Sequence, residues 1–283
     1  SRSPTLLNLL LLWADKTAET NQTGSHDSLP GKMSLFLLLI LLACFLPPRT
    51  QAGEIIGGHE ARRHSRPYMA CLRTSKKRSE CLCGGFLIRE DFVLTAAHCI
   101  GSLYRVTLGA HDISKKERTQ QVIPVSRGFL HPNYTAEKSA NDIMLLKLAR
   151  KAKLTAVQLL SLPSPRAQVR PGQVCSVAGW GRAAPFRNSN ILLEVNLTMQ
   201  GDYQCQSRFP EEYIKATQLC AGDPNLRKGA FLGDSGGPLV CKNVAQGIVS
   251  YGEEHGVPPG VYTKISSFLP WIHKTMQRWN GHR

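Results

Sequence analysis

From Ile55 onward the chain is a series of short apolar or alternating runs, among them "GGFLI", "FVLTAA", "YRVTLGA", "DIMLLKL", "VCSVAGWG", "PLVC", "QGIVSYG" and "GVYTKI", parted by Gly, Pro and polar loops. Runs of this length with turn residues between them predict strands, so the chain reads as all-β. The runs fall into two groups, one ending near residue 155 and one starting near 172, with the Pro-containing "QLLSLPSPRAQVRPG" between them. Two barrels joined by a linker fit this pattern, the first over about 55–160 and the second over about 161–266. Only the end departs from it. After Ser266-Ser267, "FLPWIHKTMQR" puts Leu269, Ile272 and Met276 on one helical face, with a Ser cap and Pro270 in the first turn. That predicts a short closing helix over about 267–279.

Ahead of Ile55 the pattern changes character. Leu35 to Leu46, "LFLLLILLACFL", has the length of a signal-peptide core, and Thr50-Gln51-Ala52 offers small residues for cleavage after Ala52. The run is too short to span a bilayer as a helix. Residues 33–52 therefore read as a signal peptide beginning at Met33. Residues 1–32 read as a non-native leader, untranslated or mispredicted, with a genuine extension left open as the alternative. Between the cleavage point and Ile55 only Gly53 and Glu54 remain, and the folded domain is expected over 55–283.

The formal net charge is +15, and removing residues 1–54 takes away four bases and four acids, so the remainder keeps it. Basic clusters recur at 61–66, 76–78, 115–118 and 147–153. Such a field attracts polyanions and weakens with salt. In a secreted protein the fitting polyanion is a sulfated glycosaminoglycan or proteoglycan. No zinc-finger spacing, RNA-binding aromatic motif or heptad basic region points to nucleic acid. The plainer reading, basic loops solvated without a partner, stays open. Of nine Cys, Cys44 leaves with the signal peptide, and an even eight in an oxidising compartment points to disulfides. Neither a metal site nor any cofactor is expected. Asn133 in "NYT" and Asn196 in "NLT" are candidate glycosylation acceptors, which would place both on the surface.

Candidate chemistry starts at "GDSGGPLV", Gly233 to Val240, where one hydroxyl sits between glycines on a turn leading into an apolar strand. Glycine lets backbone approach a ligand closely and leaves amide N–H groups free to face a developing oxyanion. A lone Ser among glycines is more often structural. "LTAAHC" adds His98 at a strand end, and "NDIMLLKL" adds Asp142 at the mouth of a run that must be buried. A carboxylate there is costly unless a hydrogen-bonding or positive group meets it, and an imidazole N–H is suitable. A Ser hydroxyl needs a base, the base needs the right tautomer, and a buried carboxylate can fix that tautomer.

With "IIGG", "LTAAHC", "NDIMLL", "AGWG", "GDSGGP" and "SYG" in this order, the chain resembles the trypsin-like (chymotrypsin-fold) serine peptidases from Ile55 to about Arg278. The longer stretches "IIGGHEARRHSRPYMA" and "CGGFLIREDFVLTAAHC" look like the granzyme, mast-cell chymase and cathepsin G branch, and most like granzyme H- or B-like members. The resemblance implies two six-stranded antiparallel barrels and a serine endopeptidase working through an acyl-enzyme. His98 is then the general base, Asp142 its orienting acid and Ser235 the nucleophile. The N–H groups of Gly233 and Ser235 form the oxyanion hole, and Ser250-Tyr251-Gly252 pairs with substrate backbone. Implied disulfides are Cys83 with Cys99, Cys175 with Cys241, and Cys205 with Cys220. Cys71 and Cys81 depart from the family pattern: pairing across a hairpin, free thiols, or a competing bridge to Cys99 all remain open.

The resemblance also explains Gly53-Glu54. In this family the α-amino group of an Ile, once freed, folds inward to pair with the carboxylate preceding the nucleophile, here Asp234. While the dipeptide remains, Ile55 carries no ammonium. Trimming in a secretory or cytolytic granule, followed by release outside the cell, is the implied route. By resemblance the primary pocket is lined by Gly229, Ala230 and Gly260, none charged, which favours Phe, Tyr, Leu or Met at the cleaved position. Leu232 stands at the pocket rim in place of an expected Lys and leaves the rim preference open. Serpin-type inhibitors are implied partners beside peptide and protein substrates. The rival reading is a catalytically silent cationic homologue that binds glycosaminoglycan or microbial surfaces; loss of His98 or Ser235 would mark it, and both are present.

Overall fold

The two groups of runs both fold as antiparallel sheet, but only one of them closes. The computed structural model describes residues 58–74, 81–101, 104–184, 187–226, 234–253 and 257–279. These all lie within one unit, Ala52–Arg283. The first strand, β1 (His59–Glu60), belongs to the second sheet. The next six are β2 (Met69–Thr74), β3 (Cys83–Arg89), β4 (Phe92–Thr95), β5 (Tyr104–Leu108), β6 (Gln121–Leu130) and β7 (Met144–Leu148). They make a closed barrel in the order β2-β3-β4-β7-β6-β5.

Strands β3, β4 and β7 read as continuous apolar runs because both of their faces are covered. Phe86, Leu87, Phe92, Val93, Leu94, Leu145 and Leu146 are all fully buried. By contrast β6 alternates: Ile123 points into the barrel while Val122 and Pro124 beside it face solvent.

The second sheet holds β8 (Val174–Gly179), β11 (Leu193–Thr198), β12 (Gln218–Ala221), β13 (Pro238–Cys241), β14 (Val244–Tyr251) and β15 (Gly260–Lys264), with β1 added at one edge. A small separate hairpin of β9 (Arg182–Ala184) and β10 (Arg187–Asn188) lies between β8 and β11 in the chain. The order is β1-β11-β8-β13-β14-β15-β12, a seven-stranded open sheet. The expectation of two six-stranded barrels is therefore corrected to one closed barrel and one open sheet. The reason is local. After β11 the chain turns into helix α1 (Asp202–Arg208), so β11 and the four-residue β12 meet only at the isolated bridge between Met199 and Ala221. A single bridge does not make the ladder that closure needs. The other edge, β11, is covered instead by β1.

The connector between the halves is tied to both. Leu160 donates its N–H to the Leu87 carbonyl at 2.8 Å, and Ser161 accepts from Ala245 N–H at 3.0 Å. The closing helix, α2 (Leu269–Arg278), buries Leu269 and Ile272, while Met276 packs partly exposed against the same core. Neither Ser caps it. Ser266 and Ser267 are used in a 3₁₀ turn, Ile265–Phe268, and the Ser267 hydroxyl donates to the Ala216 carbonyl at 2.8 Å. Pro270 in the first turn costs no hydrogen bond there.

Candidate active site

Strand β4 ends at Thr95, and a 3₁₀ turn, Ala97–Cys99, carries His98 out of the barrel wall. Asp142 precedes β7, following Asn141 in the left-handed region at φ 55°. Its side chain is fully buried, whereas about a third of His98's side chain is exposed. His98 Nδ1 lies 2.7 Å from Asp142 Oδ2, and the His98 backbone N–H donates to Oδ1 at 2.9 Å. The Ser250 hydroxyl donates to Oδ2 at 2.6 Å, and the Thr263 hydroxyl donates to the Asp142 carbonyl at 2.8 Å.

Burial pushes the Asp142 carboxyl up, but the bonds from His98 and Ser250 and the charge of His98 outweigh it and hold the pKa below the ordinary carboxylate value. The carboxylate is therefore an acceptor only. His98 must present its proton at Nδ1, which leaves the Nε2 lone pair free in the neutral ring.

Ser235 sits on the turn before β13, which is bound to the barrel carrying His98. The Gly84 N–H donates to the Ser235 carbonyl at 2.8 Å, and the Cys99 sulfur lies 3.7 Å from the same oxygen. Gly236 has φ 79°, and a Cβ there would lie 2.7 Å from the Gly84 carbonyl and collide with the Thr95 hydroxyl. Only glycine fits. Thr95 is itself fixed by donating to the Gly84 carbonyl at 2.8 Å.

Asp234 is fully buried, and its Oδ1 accepts the Gly181 N–H at 3.0 Å. A Cβ on Gly181 would come within 2.6 Å of that oxygen, and one on Gly179 would collide with it, so "AGWG" is a glycine-lined seat for this carboxylate. On the far side of the site, the Tyr251 ring stacks edge-on against Phe209 at 5.4 Å. Burial and the charge of Glu212 push its phenol above the ordinary value, and the hydroxyl donates to Gln218 at 3.3 Å. Gly252 and Gly260 face one another closely enough that a Cβ on Gly252 would lie 3.6 Å from the Gly260 Cα.

Four disulfides join Cys71 to Cys81, Cys83 to Cys99, Cys175 to Cys241, and Cys205 to Cys220. Cys83, His98 and Cys99 bring ligand-type atoms within 4.8 Å of one another, but the two sulfurs are bonded to each other and offer no thiolate to a metal. Ile55, Gly229, Ala230, Leu232 and Gly233 lie outside the described residues. Sequence reasoning missed Thr263 and the bond from the Ser250 hydroxyl to Asp142. The available signal was a hydroxyl residue at a buried position among apolar neighbours, Ser250 after Ile248-Val249 and Thr263 after Val261-Tyr262.

The family model for trypsin matches residues 55–272. Granzyme B(G,H) of Mus musculus is 59% identical over 243 residues, covering 85% of this chain and 98% of that protein. Human granzyme B is 59% identical over 244 residues, covering 86% and 99%. A solved structure described as "Structure of GrC" superposes with a TM-score of 0.74 at 51% identity, covering 78% of this chain and 99% of that one. The glycine-seated Asp234, the braced His98–Asp142 pair and this breadth of matching sequence lead to one conclusion: the chain belongs to the trypsin family of serine endopeptidases, in its granzyme, mast-cell chymase and cathepsin G branch.

Proposed function

We propose that the endopeptidase works through Ser235 as nucleophile, His98 as general base and Asp142 as the acid that holds the imidazole. The observation that carries this reading is the 2.7 Å contact between His98 Nδ1 and a buried, multiply bonded carboxylate. His98 Nε2 removes the Ser235 proton as Oγ attacks the scissile carbonyl, and the oxygen that becomes negative is received by the N–H groups of Gly233 and Ser235. The imidazolium, stabilised by Asp142, then gives its Nε2 proton to the leaving amine. Water enters by the same route and releases the acyl group from Ser235.

In this reading Gly229, Ala230 and Gly260 wall an uncharged pocket for Phe, Tyr, Leu or Met, and burying such a side chain favours binding by about 1.5–3 kcal/mol. Ser250-Tyr251-Gly252 receives the substrate backbone. Activation is removal of Gly53-Glu54, after the signal peptide 33–52, so that the Ile55 ammonium pairs with Asp234. An uncompensated carboxylate buried at that depth costs about 3–5 kcal/mol when its partner is missing. Storage in a granule on sulfated proteoglycan, glycosylation at Asn133 and Asn196, both on exposed positions, and inhibition by serpins complete the proposal.

The test is hydrolysis of matched peptides ending in Phe, Leu, Lys and Asp by protein that begins at Ile55 and by protein that begins at Gly53. Cleavage after Phe and Leu by the trimmed form alone is expected. Dominant cleavage after Lys or Asp overturns the pocket assignment, and equal rates for both forms overturn the activation step.

A further inference from the structure

Strands β2 and β5 pair with Arg73 directly opposite Arg105. Residues opposite one another in an antiparallel pair point to the same face, and because their neighbours Leu72 and Val106 are fully buried inside the barrel, both arginines point outward. Like charges in that position repel unless an anion lies between them. Among the described residues no carboxylate pairs with either. Among the described residues Arg105, which is exposed, has no hydrogen-bond partner, and Arg73 donates to the Ile113 carbonyl alone, at 2.8 Å, while its Nε is buried with no partner. Burial pulls the Arg73 guanidinium below its ordinary pKa, as it does for a charge with no counter-charge.

The same face has an apolar flank. Arg105 pairs across to Pro124, and the neighbouring Val122 on β6 is 45% exposed. Its other flank leads to the active site. The Leu82 N–H donates to the Leu72 carbonyl at 2.8 Å, next to Arg73 along β2. Leu82, 48% exposed, sits between Cys81, bridged to Cys71, and Cys83, bridged to Cys99 beside His98. His98 hands its proton to the leaving amine, so the substrate chain beyond the cut departs across this side, away from the Ser250–Gly252 strand.

We propose that Leu82, Arg73 and Arg105 form a track for the leaving-group side of a protein substrate, one that selects an apolar residue soon after the cut bond and acidic residues beyond it. The inference rests on the serine-peptidase reading above. An acidic polypeptide fits better than a sulfated polysaccharide because exposed Leu82, Pro124 and Val122 flank the paired arginines with apolar surface that a polysaccharide does not use.

The test uses trimmed enzyme and two peptides sharing one sequence up to and just past the cut, with Asp-Glu or Asn-Gln at the third to fifth positions after it. A third substrate, a chromogenic amide that ends at the cut, reads basal activity. The acidic peptide should have a kcat/KM about three- to ten-fold higher, the yield of one exposed and one half-buried ion pair, and the advantage should shrink at high salt. Arg105→Gln should remove most of that advantage, and Arg105→Glu should reverse it, with the chromogenic rate unchanged in both. No acidic advantage alongside normal chromogenic turnover overturns the track. Loss of chromogenic turnover in the unsubstituted enzyme instead counts against the peptidase reading. If Arg105→Gln loses retention on heparin but keeps the acidic preference, the pair is a polysaccharide site and the proposal falls.

Discussion

The closed barrel and the open sheet support the candidate site in opposite ways. The barrel has no free edge, and its wall fixes the two groups of the hydrogen-bonded pair: His98 on a turn leaving β4, Asp142 just before β7. The open sheet has an edge, and that edge is completed by β1, which begins four residues after Ile55. A closed barrel could not accept a strand in that way. Each half also braces the other's chemistry. Ser250 and Thr263, from the sheet, hold the barrel's Asp142, while Gly84 and Thr95, from the barrel, shape the turn carrying Ser235. Rigidity without an edge suits the acid and base of the proposed triad, whereas an open edge suits the proposed activation, in which trimming would create a terminus at Ile55, four residues before β1.

The sharpest way to break this comparison is Asp142→Asn. The barrel would keep its shape, because the amide fills the same volume. An amide cannot accept from His98 Nδ1 and Ser250 at one end while also accepting the His98 backbone N–H at the other, so the imidazole loses its enforced tautomer. A fall in kcat of about 10⁴-fold is expected, the size that a wrong tautomer brings in a triad of this type. Near-UV circular dichroism and thermal unfolding would check that the variant keeps the native fold. A loss under ten-fold with intact folding would mean that the barrel does not organise the base.

The disulfides sharpen the contrast on the stability scale. In the sheet, Cys175–Cys241 closes a separation of 66 residues, while in the barrel Cys71–Cys81 closes 10. Chain entropy assigns them about 4.4 and about 2.7 kcal/mol. Replacing each pair by Ala in separate variants should lower the denaturant midpoint more for the sheet pair. The reverse order would show that closure of the barrel depends on its hairpin staple more than on chain entropy, and that the sheet owes its order to packing.

The sequence made the chemistry legible and the architecture less so, for physical reasons. Asp142 stands where a carboxylate is costly without a partner, whereas Ser235 and His98, each more often structural when taken alone, became readable through the ordered motifs around them. Strand runs such as "FVLT" and "MLLKL" are equally plain because both faces are buried. β1 is two exposed residues, His59 and Glu60, with no apolar signal at all. Whether β11 meets β12 through a ladder or a single bridge depends on where the chain bends into α1, which strand patterns do not encode. The Ser pair before the last helix misled for a similar reason: capping and 3₁₀ turns draw on the same side chain, and Ser267 found Ala216 instead. Cys71 and Cys81 could be read as a pair, as free thiols or as rivals for Cys99 until β2 and the start of β3 were placed side by side.

The smallest effects should come from the sheet residues that brace Asp142, and they differ in kind. Ser250→Ala removes a donor to the carboxylate itself. Asp142's depressed pKa reflects stability that is fully present above the ordinary carboxyl value and is lost as pH falls through the folded-state value. With one donor gone the folded-state pKa rises, so acid unfolding should begin at a higher pH and stability near neutrality should drop by about 1.5–3 kcal/mol. Thr263→Val keeps the shape and removes only a bond to the neutral Asp142 carbonyl, at a cost of about 0.5–1.5 kcal/mol that should be nearly independent of pH. Thermal unfolding of both variants from pH 7 down to pH 3 separates them. If the curve of Ser250→Ala runs parallel to that of Thr263→Val, the hydroxyl of Ser250 stabilises the strand rather than the charge, and the sheet's hold on the barrel's acid is mechanical only.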